Sequence, residues 1–480
     1  MPFDLLIRNA TVVDGTGAPR FGADIGVRGG RVEAVGALAK EEADAEIDAS
    51  GLVAAPGFID AHTHDDRLML SAPDMAPKVS QGVTTVIAGN CGVSLAPAPR
   101  GMPRPVTPPI DLLDVEGGWF RFRTFADYVA ALREQPAATN CALLVGHSML
   151  RVQTMADLEQ PASPAEIAQM RALVDEALEA GAIGVSTGLY YEPARAAPTE
   201  EVIEVCRPLS ARRGLYCTHM RDEGDRVMEA LEETFRIGRE LGVPVVVSHH
   251  KVVGTPNYGR SAETLPLIER AMRSQRIGLD CYPYCASSTI LTFDRTLTSA
   301  KTLVTWSQQH PEFSGMDLTA IAQQMGVGVR EAVERLVPAG AIYFSMDEKD
   351  VQRILGFEHT MIGSDGLPHD AAPHPRLWGT FPRVLGHYAR DANLFSLETA
   401  VHKMTGLTAR TFGLADRGVL KPGYAADITL FDAGTIDAAA TFENSIQPAR
   451  GIAAVLVNGT PVWRDGRSTG ERPGKVLRRG

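Results

Sequence analysis

Residues 215–250 read LYCTHMRDEGDRVMEALEETFRIGRELGVPVVVSHH. An apolar run from Leu215 ends on Thr218-His219, a stretch from Asp225 to Leu241 carries Ala, Leu, Glu and Arg at helical spacing, and a second apolar run from Val243 ends on Ser248-His249-His250. Strand, helix and strand in that order form the βαβ unit of a parallel sheet. The same punctuation recurs on both sides. Apolar runs ending in polar residues span Ala54 to His64, Val83 to Cys91, Ala142 to His147, Ala182 to Thr187, Ile277 to Tyr282 and Thr360 to Asp365, with helical segments at 164–180, 200–212 and 262–274. Eight such strands predict an α/β fold, the (β/α)8 or TIM barrel.

One connection is too long for a single helix. Between Tyr282 and Thr360 roughly 60 extra residues are predicted to form an inserted lid, 287–343, between strand 7 and strand 8, with helices around Met316–Met325 and Val329–Leu336. Outside the barrel the pattern changes to short alternating runs around Gly-rich turns: Leu5 to Val13, Ala23 to Val35, then Ala426 to Asp432 and Ile452 to Val457 before the hairpin pair Asn458-Gly459. Neither end has enough strands for a stable sheet, so a small β domain built from both chain termini is predicted. The expected division is 1–54 plus 415–480 for that domain and 55–414 for the barrel.

Composition narrows the function. A net charge of −11 argues against nucleic-acid binding, which calls for clustered Lys and Arg. The N-terminal residues lack a charged segment followed by an apolar one, and no window is apolar enough to span a bilayer, so a cytoplasmic location without membrane association is the expectation. The six cysteines in so long a chain do not read as a disulfide framework.

Strand C-termini in such a barrel converge on one face, and here they carry His62-Thr63-His64, Asn90-Cys91, Thr218-His219, Ser248-His249-His250 and Ser364-Asp365. Imidazole, thiolate and carboxylate are the ligand types zinc takes, with one position kept open for water in catalytic sites. Alternation along a strand puts both imidazoles of His62 and His64 on one side, whereas His249 and His250 cannot both face inward. Asp365 is the expected proton carrier: it accepts a proton as water attacks and returns it to a leaving nitrogen.

These blocks resemble the amidohydrolase superfamily over essentially the full length, and within it the N-acyl-D-amino-acid deacylase (D-aminoacylase) family. The likeness rests on Pro56 to His64, Gly89-Asn90-Cys91-Gly92, Ser186 to Leu189, Thr218 to Arg221, Ser248-His249-His250-Lys251 and Gly363 to Pro368. It implies one tightly bound Zn2+ on Cys91, His219 and His249, and a second, weakly filled site of His62, His64 and Asp365. His250 is left to a structural or supporting role. The resemblance further implies hydrolysis of the amide bond of N-acyl-D-amino acids, apolar side chains favoured, with a small molecule as the partner. Its D preference comes from the resemblance alone. Tyr190, Leu297, Tyr343 and Met346 are implied as an apolar side-chain pocket. A free α-carboxylate calls for fixed donors, for which Lys251, Tyr282, Arg295 and Arg376 stand near strand ends or in the insertion.

Two rivals share parts of this pattern. A cyclic-amide hydrolase of the dihydroorotase or hydantoinase kind resembles the barrel but carries a carboxylated bridging lysine, and no lysine occurs from Ala182 to Tyr191. A catalytically silent assembly protein would be expected to have lost ligands, and here all are retained.

Overall fold

A computed structural model describes residues 2–480. The eight predicted strands are all present, as β1 (Phe58–Asp60), β2 (Val83–Ala88), β3 (Asn140–Gly146), β4 (Gly184–Gly188), β5 (Leu215–His219), β6 (Val245–Val247), β7 (Ile277–Cys281) and β8 (Thr360–Ile362). They pair in parallel in chain order as one eight-stranded sheet. Backbone bonds from Ala61 N to Ile362 O (3.1 Å) and from Asp365 N to His62 O (2.7 Å) join the last strand to the first and close the barrel. Inside it, Ile59, Ile87, Leu144, Leu215, Val246 and Met361 form a buried apolar plug, as a closed barrel of this size requires.

The run expected as strand one, Ala54 to His64, is divided at Gly57. Val53–Pro56 pairs antiparallel with Ile428–Phe431 in the peripheral sheet, and only Phe58–Asp60 belongs to the barrel. Strand pairing therefore crosses between the two units at a single glycine, where a Cβ would lie 2.2 Å from the Thr84 side chain.

The peripheral sheet has nine strands drawn from both ends of the chain, with Ile7, Ile25, Val27, Ile428 and Leu456 among its buried residues. Asn458 and Gly459, both at positive φ, turn the hairpin between Ile452–Val457 and Thr460–Arg464. Past this sheet the chain leaves for the barrel: Cys141 N donates to Lys475 O at 2.9 Å and Leu477 N to Cys141 O at 2.7 Å. The last residues of the 415–480 segment thus pack beneath the barrel rather than with the sheet.

Between β7 and β8 the inserted residues form a three-stranded antiparallel sheet of Ser287–Ile290, Thr302–Ser307 and Ala339–Tyr343. Helices Leu318–Met325 and Val329–Leu336 cover it and share a core with Val304, Ile321, Val333 and Ala341. No helix among the described residues is long and apolar enough to cross a membrane.

Candidate metal centre and active site

Three of the polar residues at strand ends stand in left-handed backbone: Cys91 at φ 53°, His249 at 36° and Asp365 at 48°. Non-glycine residues seldom adopt this region and each costs about 1–3 kcal/mol, so its recurrence at one barrel mouth marks a constrained site. The reversal also replaces the expected mechanism of aim. His62 and His64 lie beyond β1, which ends at Asp60, so strand alternation does not orient them. Bonds across the barrel seam do, from Asp365 N to His62 O at 2.7 Å and from His64 N to Gly366 O at 3.1 Å.

The side chains meet closely. Cys91 Sγ is 3.3 Å from both His62 Nε2 and His249 Nε2. Three overlapping sets have their donor atoms within 4.8 Å of one another: Cys91, His219 and His249; His62, His64 and Cys91; His62, His249 and Asp365. The thiol faces both groups of imidazoles, so it can serve either side of a two-position centre, a possibility the strand pattern alone does not reveal. Both ring nitrogens of His219 lack a hydrogen-bond partner although the residue is buried, which is costly unless a cation takes one of them. Burial holds His62 near pKa 3 and lowers His219 and His249, leaving neutral imidazoles ready to ligate. Burial pushes the Cys91 thiol up, so a divalent cation is what would draw out its thiolate. The donor set fits zinc.

Asp365 faces His64 Nε2 at 3.3 Å and His62 Nε2 at 3.6 Å through Oδ1, while its Oδ2 lies 2.9 Å from Arg376 Nη1. Burial alone would raise its pKa, but the Arg376 guanidinium outweighs it and holds the carboxyl well below the usual range. Arg376 is fully buried and also donates to Ser288 O at 3.1 Å. Expected as a substrate anchor, it stands against Asp365, while its Nε and Nη1 have no hydrogen-bond partner among the described residues.

Lys251 is similarly committed. Its Nζ donates to Glu223 Oε1 at 2.6 Å and contacts His249 Nδ1 at 2.8 Å. Glu223 is a functional residue that sequence reasoning missed: it follows His219 by one helical turn's spacing, and its Oε1 lies 3.1 Å from His249 Nδ1 while Oε2 is 3.6 Å from His219 Nε2. Burial opposes its ionisation, yet Lys251 and the imidazoles prevail and hold it well below the ordinary value. Glu223 Oε1 and Lys251 Nζ both stand within 3.1 Å of His249 Nδ1, and a proton on that nitrogen would leave Nε2 its lone pair for a metal. Asp280, also missed, accepts from His249 N at 3.0 Å and has Oδ2 3.7 Å from His62 Nδ1. Burial raises its pKa to about 7. Lys78 joins Asp60, Thr63 and Ser364, each at 2.8 Å, in a buried network under the seam.

Of the remaining expected residues, Arg295 reaches the site. It lines a cavity of about 20 Å³ over the cluster together with Cys91, His219, Asp365, Ser288 and Leu367, and a neighbouring cavity of about 300 Å³ with Tyr190 and Tyr343. Its Nε donates to Tyr190 Oη at 2.9 Å. Tyr343 is buried, its hydroxyl donating to Ile290 O at 2.9 Å. Tyr282 lies beneath Arg376, whose guanidinium is 4.6 Å from the ring centroid, with its own hydroxyl unpartnered. Met346 packs on Tyr282 and Tyr284, away from the small cavity. Leu297 is 67 % exposed at the end of a short surface helix, so it does not wall the pocket it was expected to line. His250 turns the other way, its Nε2 2.9 Å from Thr264 Oγ1.

Known proteins resemble this chain over its full length. The sequence model described as "Amidohydrolase family" matches residues 45–290 and 330–463. A D-aminoacylase of Alcaligenes xylosoxydans xylosoxydans is 60% identical over 478 residues, covering 100% of this chain and 98% of its own length. An N-acyl-D-aspartate deacylase of the same organism is 53% identical, with 99% and 95% covered. Among solved structures, an N-acyl-D-glutamate deacylase from Bordetella bronchiseptica, in complex with zinc and a phosphonate mimic of the tetrahedral intermediate, superposes with a TM-score of 0.96 at 47% identity, both chains covered in full.

Proposed function

The chain belongs to the amidohydrolase family, and from that premise we propose that it is a metal-dependent deacylase that cleaves N-acyl-D-amino acids to a D-amino acid and a carboxylate. The observation that carries this reading is the convergence of Cys91, His219 and His249 within 4.8 Å, with the ionised Asp365 facing the same small cavity. Full-length relatives that act on N-acyl-D-amino acids support both the linear amide and its chirality. The D preference rests on those relatives.

Cys91, His219 and His249 would hold one zinc tightly, with His62, His64 and Asp365, whose Oδ1 faces both imidazoles, as the weaker position. When bound, zinc supplies Lewis-acid polarisation at the scissile carbonyl and its attacking water. Asp365 Oδ1 accepts the proton of that water, since Oδ2 is occupied by Arg376. It then delivers the proton to the amide nitrogen, which leaves as a neutral amine. Arg295 is the cation at the cavity with no carboxylate partner among the described residues, and we assign it the substrate's α-carboxylate. Lys251 lines the same cavity beside its Glu223 partner, and its Nζ lies 5.7 Å from the ring centroid of Tyr282, whose hydroxyl is unpartnered; both stand as supporting donors.

Lys251 is set against Glu223 and Arg376 against Asp365, which leaves Arg295 as the cation of this cavity without a carboxylate beside it. That supports the lean towards apolar D-amino acids, with Tyr190 and Tyr343 walling the outer cavity. The inserted segment contributes Ser287, Ser288, Thr289 and Arg295 to the lining of the small cavity, and we assign it the role of a lid over the site. Incubating purified protein with N-acetyl-D-methionine, N-acetyl-L-methionine and N-acetyl-D-glutamate tests the reading. Rapid release of methionine from the D isomer alone is the expected result, and cleavage of only the L isomer would refute it.

A further inference from the structure

The far end of the barrel carries a second polar cavity that plays no part in the reaction above. It has a volume of about 570 Å³ and is lined at the start of β6 by Pro244 and Val245, at the start of β7 by Arg276 and Ile277, and by Arg273, Arg410 and Arg479. Strand N-termini form the face opposite the catalytic one, so this cavity and the metal centre lie at the two ends of the same two strands.

Four guanidiniums thus border one cavity in a chain whose net charge is −11. None of the four has a carboxylate within 4.0 Å among the described residues, although most other arginines here pair with one, as Arg212 does with Asp175 and Arg236 with Glu240. The lone acidic lining residue, Glu269, makes no ion pair with them. Arg479 is brought to the cavity by the C-terminal segment, which is fastened beneath the barrel by the Cys141 bonds and by Arg479 Nη1 donating to Thr411 O at 3.2 Å. Arg273, Arg276 and Arg410 are exposed and Arg479 is half-buried. Burial and the charge of nearby Arg276 lower the pKa of Arg479, a sign that these two cations stand close. Unpaired like charges held together around a concave space repel, and an anion with several oxygens offsets that repulsion through charge-assisted, forked hydrogen bonds. The cavity exceeds what a bare phosphate fills, and Pro244, Met272, Ile277 and Leu407 supply an apolar wall for the rest of the ligand.

We infer that this cavity is a binding site for a phosphorylated organic anion of nucleoside-diphosphate size, separate from the hydrolytic centre. The phosphates sit among Arg273, Arg276, Arg410 and Arg479, and the organic body lies on the apolar wall.

Calorimetric titration of the zinc-loaded protein at physiological ionic strength, with ADP, adenosine and pyrophosphate in turn, tests this directly. ADP is expected to bind, adenosine not to, and the double variant Arg276→Glu, Arg410→Glu to bind ADP about tenfold or more weakly. Amide hydrolysis by the variant should match the parent, which certifies its fold. Should the reversed charges disturb folding, Arg276→Gln with Arg410→Gln removes the cations more gently, and the same weakening is expected. The inference is overturned if millimolar ADP gives no heat, or if the variants bind it as well as the parent, which would place ADP at the metal centre. Pyrophosphate binding as tightly as ADP would overturn the assignment of an organic body.

Discussion

Arg376 Nη1 lies 2.9 Å from Asp365 Oδ2, a guanidinium with no solvent exposure set against the carboxylate proposed to carry the proton. Removing one partner of such a buried pair costs about 3–5 kcal/mol, because the other is left uncompensated. Asp365 would then gain its proton more readily and lose its orientation.

Substituting Arg376→Met is therefore expected to lower kcat by about 100-fold or more with KM changed little, in keeping with the usual range for general-base catalysis. Steady-state kinetics on N-acetyl-D-methionine reads the split. A large rise in KM at unchanged kcat would return Arg376 to the role of substrate anchor.

Glu223 orients His249 and is itself held by Lys251. Glu223→Gln keeps the volume but leaves a weaker acceptor, and the loss of such a partner typically lowers metal affinity by about 10–100-fold. Competition with a chromophoric chelator measures it independently of turnover. Equal zinc affinity in variant and parent would remove Glu223 from the metal-supporting set.

Gly188 ends β4 against the Asn90-Cys91-Gly92 turn, and a Cβ there would lie 2.2 Å from Cys91 O and 3.0 Å from the Tyr191 ring. Gly188→Ala should push the left-handed Cys91 turn outward, costing about 1–3 kcal/mol of stability and lowering zinc retention after gel filtration. Retention equal to the parent's would show that the turn can yield without moving the thiolate.

Asp111 and Asp370 are buried, each with an unpartnered oxygen, and burial raises each to about 7, Asp370's charge adding to the effect on Asp111. A carboxyl raised in the folded state binds its proton more tightly there than when unfolded. Its contribution to stability is therefore complete below about pH 4, the unfolded value, and is lost as the pH rises through about 7. Asp111→Asn, neutral at every pH, should melt nearest to the parent at about pH 4 and about 2 °C or more higher at about pH 8. Parallel melting curves at both values would contradict the assignment.

The cluster proposed to hold the metal was legible because each of its residues ends an apolar run, and a barrel gathers such ends on one face whatever the details between them. Glu223 and Asp280 were not. The first lies in a loop among other acidic residues, and its value comes only from Lys251 and His249 arriving beside it. The second lies inside β7 with nothing in its neighbours to separate it from a solvated carboxylate. Alternation along a strand was the wrong guide for His62, His64 and His249, because β1 and β6 end before those residues and local turns aim them. Leu297 was misplaced, and the facing of Arg376 left open, for a related reason. In an inserted segment or a long loop, sequence gives residue type and not facing, so Leu297 emerged on the surface and Arg376 beneath Asp365.

The central claim is that one zinc on Cys91, His219 and His249 suffices for hydrolysis, with His62, His64 and Asp365 forming the weaker position. Stepwise return of zinc to chelator-stripped protein, with metal content and N-acetyl-D-methionine turnover recorded at each step, tests it most directly. Activity should climb linearly and reach its plateau at about one equivalent, and Cys91→Ala should stay inactive throughout. A plateau reached only at about two equivalents, or full activity in the stripped protein, would contradict it.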